Sequence, residues 1–187
     1  MAVTISSSLC IYYLPGYGGR LTNGLGQALV DRGYEVVGRE TVGDFKKLDF
    51  NEQVVTIAND IKQHFWREDG KIIANSFGAY LLLHALSKLT PYLGKILLLS
   101  PIVGEFSSEE IHMGFIPPYA KRLGELASAH QYPIPMNCSF HVGSEDWQSN
   151  PEDVLKFAAL LSLAVTVVSG AGHQLPKDYV SKLIKRI

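Results

Sequence analysis

The sequence has little net charge, few cysteines and no long apolar run. Its 17 Lys and Arg residues nearly balance 18 Asp and Glu, for a formal net charge of −1. That balance gives no electrostatic reason to expect a nucleic-acid partner. Two cysteines cannot make a disulfide framework. Cys10 and Cys138 each lie in an apolar, strand-like run, where a free thiol behaves as a small hydrophobe, so we expect both to be buried.

Targeting and metal-binding signals are also missing. No apolar run approaches the length of a membrane span, and residues 1–16 lack the basic region of a signal peptide. These absences predict a cytoplasmic protein without a membrane partner. No His-Glu-x-x-His motif, Cys-x-x-Cys motif or paired histidine spacing occurs, so neither a metal nor another cofactor is predicted.

What the sequence does contain is typical of one folded domain. Hydrophobic residues make up 47% of the chain and charged residues 19%, as in ordinary globular proteins. A length of 187 residues suits a single domain with a substantial core. No internal repeat or linker divides the chain, so residues 1–187 are predicted to form one domain.

The apolar pattern predicts strands that alternate with helices. Strands are predicted at residues 9–14, 34–39, 71–74, 95–100, 137–142 and 164–168, and helices at 21–32, 51–66, 77–89, 151–163 and from about 177. Short connections between them indicate a mostly parallel six-stranded sheet with helices on both faces, a three-layer α/β sandwich. Residues 104–135 hold no strand pattern and are predicted to contain one helix, from about 118 to 129.

The segment 71–89 changes from a strand period to a helix period at Ser76. Such a sharp reversal strains the backbone of the turn residue, and the small residues Ala74 and Gly78 would let strand and helix touch. The Ser76 side chain would then be exposed at the carboxyl edge of the sheet, beside a helix N-terminus that favours a developing oxyanion. The alternative is an ordinary serine N-cap at the start of a core helix.

Residues 74–78, ANSFG, resemble the Gly-x-Ser-x-Gly nucleophile elbow of the α/β-hydrolase family, with Ala in the first position. Two later turns extend the resemblance. Residues 143–146, GSED, are similar to the family's Gly-x-x-Asp turn, and residues 170–173, GAGH, to the loop that presents its histidine. The resemblance implies a catalytic triad of Ser76, Asp146 and His173, in the family's chain order.

Other residues of the same types remain as alternatives. Glu145 and Asp153 are rivals of Asp146 for the acid. The rivals of His173 lie in a predicted strand, in predicted helices or in residues 104–135, and for each a structural or surface role is favoured: His141, His64, His84, His112 and His130.

Residues 15–19, PGYGG, connect the first predicted strand to the first helix. The resemblance implies an oxyanion loop in which the backbone N–H groups of Tyr17 and Phe77 act together, while Gly16 lets the backbone approach the substrate. A dinucleotide fingerprint is a second interpretation, with Glu40 as its ribose-binding acid, but Leu21 occupies its third glycine position. A plain glycine turn is the third.

The resemblance also implies that residues 104–135 form a small cap. Its apolar side chains Met113, Phe115, Ile116 and Tyr119 are predicted to bind the substrate, which we expect to be uncharged and partly apolar. The eight residues before Leu9 leave no room for the family's first two strands, so a minimal member is expected. The implied function is a serine hydrolase that cleaves small carboxylic or thioesters through an acyl-enzyme on Ser76. A catalytically silent binding protein on the same fold is the alternative.

Overall fold

The computed structural model describes residues 9–187. In chain order these residues form β1 (Cys10–Leu14), α1 (Gly24–Val30), β2 (Glu35–Gly38), α2 (Gly43–Lys47), α3 (Phe50–Asp60), a π-helical turn (Ile61–Phe65), β3 (Lys71–Asn75), α4 (Phe77–Leu86), β4 (Lys95–Leu99), β5 (Phe106–Ser108), β6 (Met113–Phe115), α5 (Arg122–Ser128), β7 (Asn137–Gly143), α6 (Pro151–Leu160), β8 (Val165–Val168) and α7 (Lys177–Ile184). The predictions made from residues 1–8 lie outside the described residues: that they hold no signal peptide and no additional strands.

Six strands form the main sheet in the order β2-β1-β3-β4-β7-β8. Every neighbouring pair in it is parallel. Parallel neighbours need crossover connections. The crossover helices α1, α3, α4 and α6 cover the sheet together with α7, which follows the last strand. The predicted α/β sandwich is confirmed.

Successive side chains of a strand point to opposite faces of the sheet, and this alternation separates two cores. On β1, Tyr12 belongs to the larger core, which also contains buried residues of α3, α4, α5 and α6. Tyr13 belongs to a smaller core with Leu29 of α1 and Ile184 of α7. Helices therefore cover both faces, and α4 is buried along its whole length, as its apolar sequence predicts.

The expectation that residues 104–135 contain no strand was wrong. β5 and β6 pair as an antiparallel hairpin, with Phe106 opposite Phe115. Each strand has three residues, which is too short to show a period of two. The helix of this segment begins at Arg122, later than predicted, because Tyr119 has a φ of 59° and cannot belong to a right-handed helix.

Two further differences concern residues 41–66. The short helix α2 was not predicted, because its five residues include Gly43 and Asp44, which are poor helix formers. The predicted helix over residues 51–66 is α3 followed by the π-helical turn, whose wider winding no apolar pattern of this length distinguishes from an α-helix.

The cysteines are less buried than predicted. Cys10 and Cys138 are free thiols of intermediate exposure that pack against the larger core. Between residues 9 and 187, no helix is both long enough and apolar enough to cross a bilayer.

Candidate active site

Ser76 lies at a sharp turn between β3 and α4. Its backbone has φ 52° and ψ −120°, a region that residues other than glycine rarely adopt. The Ser76 N–H donates to the carbonyl of Leu99 at 3.0 Å, and the Ser76 carbonyl accepts from the N–H of Ala79 at 3.0 Å. The hydroxyl makes no capping hydrogen bond to α4. The ordinary N-cap alternative is therefore excluded, and the hydroxyl is free for another partner.

Gly78 lets α4 begin directly against the end of β1. A Cβ atom at this position would lie 2.4 Å from the carbonyl oxygen of Leu14 and 2.4 Å from that of Pro15. The close approach predicted just past the serine is thus present. Its partner is the neighbouring strand β1 and not β3, from which α4 emerges.

A chain of hydrogen bonds leads from Ser76 to a buried carboxylate. The Ser76 hydroxyl lies 2.8 Å from Nε2 of His173, and Nδ1 of His173 lies 2.9 Å from both carboxylate oxygens of Asp146. Asp146 is 2% exposed, and one of its oxygens also accepts the backbone N–H groups of Gln148 at 3.0 Å and Ser149 at 2.8 Å. The carboxylate is therefore fixed from several directions.

The loops after β7 and β8 are joined to each other, and this joining brings Asp146 to His173. A Cβ atom on Gly143 would lie 2.1 Å from the carbonyl oxygen of Ala171, so only glycine allows the loops to approach this closely. The N–H of Glu145 donates to the carbonyl of Ala171 at 2.9 Å. The Gly-x-x-Asp turn thus fixes the direction of its carboxylate through its own backbone.

The rival acids lie elsewhere. Glu145 is exposed, and Asp153 lies in the first turn of α6, half-exposed and 3.8 Å from the ammonium group of Lys156. A carboxylate in that turn favours the helix dipole. Neither acid forms a hydrogen bond with His173 in the part of the chain that the structure describes.

The rival histidines are also separate from Ser76. His141 lies in β7 and pairs through Nδ1 with the Tyr179 hydroxyl at 2.7 Å, and burial lowers its pKa. His84 is buried in α4, where burial lowers its pKa to about 4, so it is neutral at pH 7. The other three are exposed: His64, His112 and His130.

The glycine loop lies against the serine. A Cβ atom on Gly16 would lie 3.2 Å from Cβ of Ser76, so a larger residue would crowd the hydroxyl. The Thr41 hydroxyl donates to the Gly16 carbonyl and accepts the N–H of Gly19 at 2.9 Å, which fixes the shape of the loop. Glu40 accepts the backbone N–H of Leu21 at 3.0 Å. This acid therefore has a structural role, and the dinucleotide interpretation loses the residue that supported it.

Two backbone N–H groups near Ser76 have no hydrogen-bond partner among residues 9–187. Phe77 is the first residue of α4, so its N–H has no acceptor within the helix. Within residues 9–187 the N–H of Tyr17 donates to no backbone carbonyl. The rings of these two residues pack edge to face with their centroids 5.8 Å apart, and this contact keeps the loop beside the start of α4.

A cavity of about 830 Å³ opens at Ser76 and His173 and extends between α1 and α7. The four apolar cap residues do not line it. Phe115 and Ile116 instead line a separate cleft of about 610 Å³ with Trp147. The side chains of Met113 and Tyr119 are 59% and 63% exposed. The structure thus brings Gly16 and the proposed triad together, but it places the cap side chains outside their cavity.

No group of three His, Cys, Asp or Glu side chains that could hold a metal ion is found among residues 9–187.

Known structures share this arrangement of strands and helices. The B. subtilis ydeN gene product superposes with a TM-score of 0.64, at 17% identity over 94% of this chain and 98% of that one. A carboxylesterase of Nitrososphaera gargenis superposes with a TM-score of 0.60, at 13% identity over 95% of this chain and 89% of that one. For an α/β hydrolase enzyme from a sediment metagenome of the Mar Chica lagoon, Morocco, the TM-score is 0.58, at 17% identity over 95% of this chain and 89% of that one.

The chain has the α/β-hydrolase fold. No protein-family model matches its sequence, and neither does any curated protein. At 13–17% identity the likeness concerns the fold alone. Within this α/β-hydrolase fold, Ser76, Asp146 and His173 follow β3, β7 and β8 at the carboxyl edge of the sheet.

Proposed function

We propose that this α/β-hydrolase-fold protein is a serine hydrolase that cleaves carboxylic or thioesters through an acyl-enzyme on Ser76. One observation carries the proposal: the unbroken hydrogen-bond chain from the Ser76 hydroxyl through His173 to Asp146. A serine hydroxyl is a weak nucleophile unless a base accepts its proton, and an imidazole oriented by a carboxylate is suited to that task. The N. gargenis neighbour is named as a carboxylesterase, which supports the ester class.

In the acylation step, the Ser76 oxygen forms a bond to the carbonyl carbon of the ester as Nε2 of His173 accepts the hydroxyl proton. The carbonyl π electrons move to its oxygen, which becomes an oxyanion. We assign the free N–H groups of Tyr17 and Phe77 to this oxyanion, because preorganised donors stabilise charge that develops in the transition state. Asp146 holds the ring in the tautomer with its proton on Nδ1 and stabilises the imidazolium.

The tetrahedral intermediate then collapses. The bond from the carbonyl carbon to the leaving oxygen or sulfur breaks, and the leaving group takes the proton from Nε2 of His173. Water attacks the acyl-enzyme next, with His173 again accepting a proton. The bond to Ser76 breaks, the serine oxygen recovers its proton, and the carboxylic acid leaves.

We expect an uncharged substrate, because two of the three cationic side chains that line the cavity at Ser76 already have partners. Arg20 lies 3.5 Å from the Glu40 carboxylate, and Arg32 donates to the Ala28 carbonyl and to the Ser181 hydroxyl. The third, Lys177, is exposed at the start of α7. We include Gly16 in the binding site because of its contact with Ser76. The four cap side chains are not included, because none lines this cavity.

Covalent labelling with a fluorophosphonate tests the proposal directly. The Ser76 oxygen should displace fluoride from phosphorus, so the intact mass should rise by that of the probe less hydrogen fluoride. Ser76→Ala and heat-unfolded wild type are the controls, and neither should be labelled. Folded wild type that takes no label and cleaves no p-nitrophenyl ester would contradict the proposal and favour the catalytically silent binding protein.

A further inference from the structure

We infer that the space between α1 and α7 binds the apolar chain of the substrate, and that Arg32 sets the longest chain that fits. This inference rests on the proposed function of Ser76. We call this space the α1–α7 trough and define it by six residues that line it: Tyr13, Leu25, Ala28, Leu99, Val180 and Ile184.

The trough is continuous with the site of the proposed chemistry. Ser76 and His173 line the same cavity of about 830 Å³ as the trough residues. In a parallel sheet the helices run antiparallel to the strands. The start of α1 and the start of α7 therefore lie at the carboxyl edge, near Ser76, and both helices lead away from it. A chain attached at Ser76 can enter the trough from this end.

Each helix turns one face toward the trough. Leu25, Ala28 and Arg32 follow one another on or just after α1 at intervals of three and four residues, which places them on a single side. Lys177, Val180 and Ile184 repeat at the same intervals along α7. The floor comes from Tyr13 and Leu99, each 4% exposed. Between Lys177 and Arg32 the walls and floor are therefore mainly apolar, with the hydroxyl of Ser181 among them, and an alkyl chain can pack there.

We place Arg32, an exposed residue just after α1, at the far end of the trough. Its guanidinium donates through Nη1 to the carbonyl of Ala28 and through Nη2 to the hydroxyl of Ser181 at 2.8 Å, so it bridges the α1 side to α7. Gly24 and Arg32 are eight positions apart, which corresponds to roughly 12 Å at the helical rise. A medium-length acyl chain fits that length. A longer chain would meet the charged guanidinium and would have to displace its hydrogen bond to Ser181 or cover a charge that is now exposed to water.

Filling the trough should shorten the preferred chain. In Ala28→Trp, kcat/KM for p-nitrophenyl octanoate should fall at least about tenfold, mainly through KM, while that for the acetate changes less than about twofold, because each buried methylene contributes roughly fourfold. Val30→Trp is the matched control, since Val30 is on the same helix, is 47% exposed and lies outside the cavity. Val180→Trp on the opposite wall repeats the test if Ala28→Trp does not fold. Equal losses on both esters, or none on the octanoate, would overturn the inference.

Opening the far end should have the opposite effect. Arg32→Ala should raise the ratio of kcat/KM for the dodecanoate to that for the octanoate by about tenfold or more, because the guanidinium no longer limits the chain. An unchanged ratio would show that Arg32 does not limit chain length.

A binding measurement separates this inference from the catalytic proposal. Ser76→Ala should bind intact methyl octanoate in titration calorimetry, and adding Ala28→Trp should weaken that binding at least about tenfold. Such weakening supports the trough even if wild type takes no fluorophosphonate label. Normal labelling of wild type, with unchanged binding in the double variant, would overturn the trough and leave the role of Ser76 intact.

Discussion

The loops that carry the proposed triad and the segment 104–135 both follow strands of the same sheet, yet they are held very differently. Ser76 and Asp146 are 8% and 2% exposed, and neighbouring backbone groups fix both. In the other segment Met113 and Ile116 are 59% and 75% exposed. The part before α5 has few anchors among the described residues, and the clearest is the hydroxyl of Tyr80, which donates to the Pro118 carbonyl at 2.7 Å. The later part is held by the buried residues of α5 in the larger core and by the hydroxyl of Tyr132, which donates to the Leu83 carbonyl at 2.8 Å.

This difference shows what each region can contribute. A group that transfers a proton must stay within hydrogen-bond reach, so its position is set by main-chain contacts that a single side-chain change does not loosen. An exposed segment with few anchors adds little to stability and tolerates change. Variants of the triad loops should therefore have large effects, and variants of the exposed residues before α5 small ones.

The largest effect is expected at Ser76. Ser76→Ala should lower turnover of an activated short-chain ester by on the order of 10⁴ or more, with an unchanged circular dichroism spectrum, because only oxyanion and binding contributions remain. Ser100→Ala is the control: Ser100 lines the same cavity, and its buried hydroxyl has no partner among residues 9–187. Near wild-type turnover in Ser76→Ala would remove the serine from the mechanism.

Asp146→Asn should have the next largest effect. The amide keeps the size of the carboxylate but does not hold His173 in the tautomer that accepts the serine proton, so turnover near pH 7 should fall roughly 10³- to 10⁴-fold. Steady-state kinetics of Glu145→Gln and Asp153→Asn provide the controls, and both should stay close to wild type. Activity in Asp146→Asn together with inactivity in either control would assign the acid to a different residue.

Gly78→Val tests the contact between α4 and β1. Its added atoms would overlap two backbone carbonyl oxygens that cannot rotate away, so the free energy of unfolding should fall by about 3 kcal/mol or more, and activity with it. Gly124→Val is the matched change within a helix, at a glycine with open space around it, and should change stability by less than about 0.5 kcal/mol. Urea unfolding measures both. Soluble, active Gly78→Val would show that the turn has more room than the structure gives it.

The smallest effect is expected under the segment 104–135. Tyr80→Phe removes the hydrogen bond to Pro118 and should cost about 1 kcal/mol in urea unfolding, with turnover within roughly twofold of wild type. In Tyr119→Phe the lost hydroxyl belongs to a side chain that is 63% exposed, so stability should not change measurably. A large loss of turnover in Tyr80→Phe would mean that this segment controls the site more closely than its exposure suggests.

The fold followed from the apolar pattern, and the meeting of the three candidate residues followed from the likeness of three short turns to the α/β-hydrolase family. The change of period at Ser76, with small Ala74 and Gly78 beside it, requires a tight turn whatever surrounds it. The turn at Gly143 was predicted from the family's pattern, and the structure supplies the reason for glycine there, since it lies against Ala171. Such signals predict the direction of a side chain because the backbone conformation and the residue type are coupled. The catalytic roles of these residues remain predictions.

The cavity could not be predicted in the same way. Met113, Phe115, Ile116 and Tyr119 were chosen because they are apolar and follow β4, but composition says nothing about which way a segment folds back. The hairpin β5–β6 directs Phe115 and Ile116 to another cleft. The trough depends on the separation between α1 and α7, which is a property of tertiary packing and has no pattern in either helix alone.

The positive φ of Ser76 means that the residue needed for the proposed chemistry lowers the thermal stability of this turn. A non-glycine residue held in such a conformation costs on the order of 1 kcal/mol or more, and glycine would adopt it without strain. Ser76→Gly should therefore unfold at a higher temperature than Ser76→Ala. A laboratory selection for heat resistance alone should therefore favour Ser76→Gly. The selected protein would be more stable but would lack the serine hydroxyl.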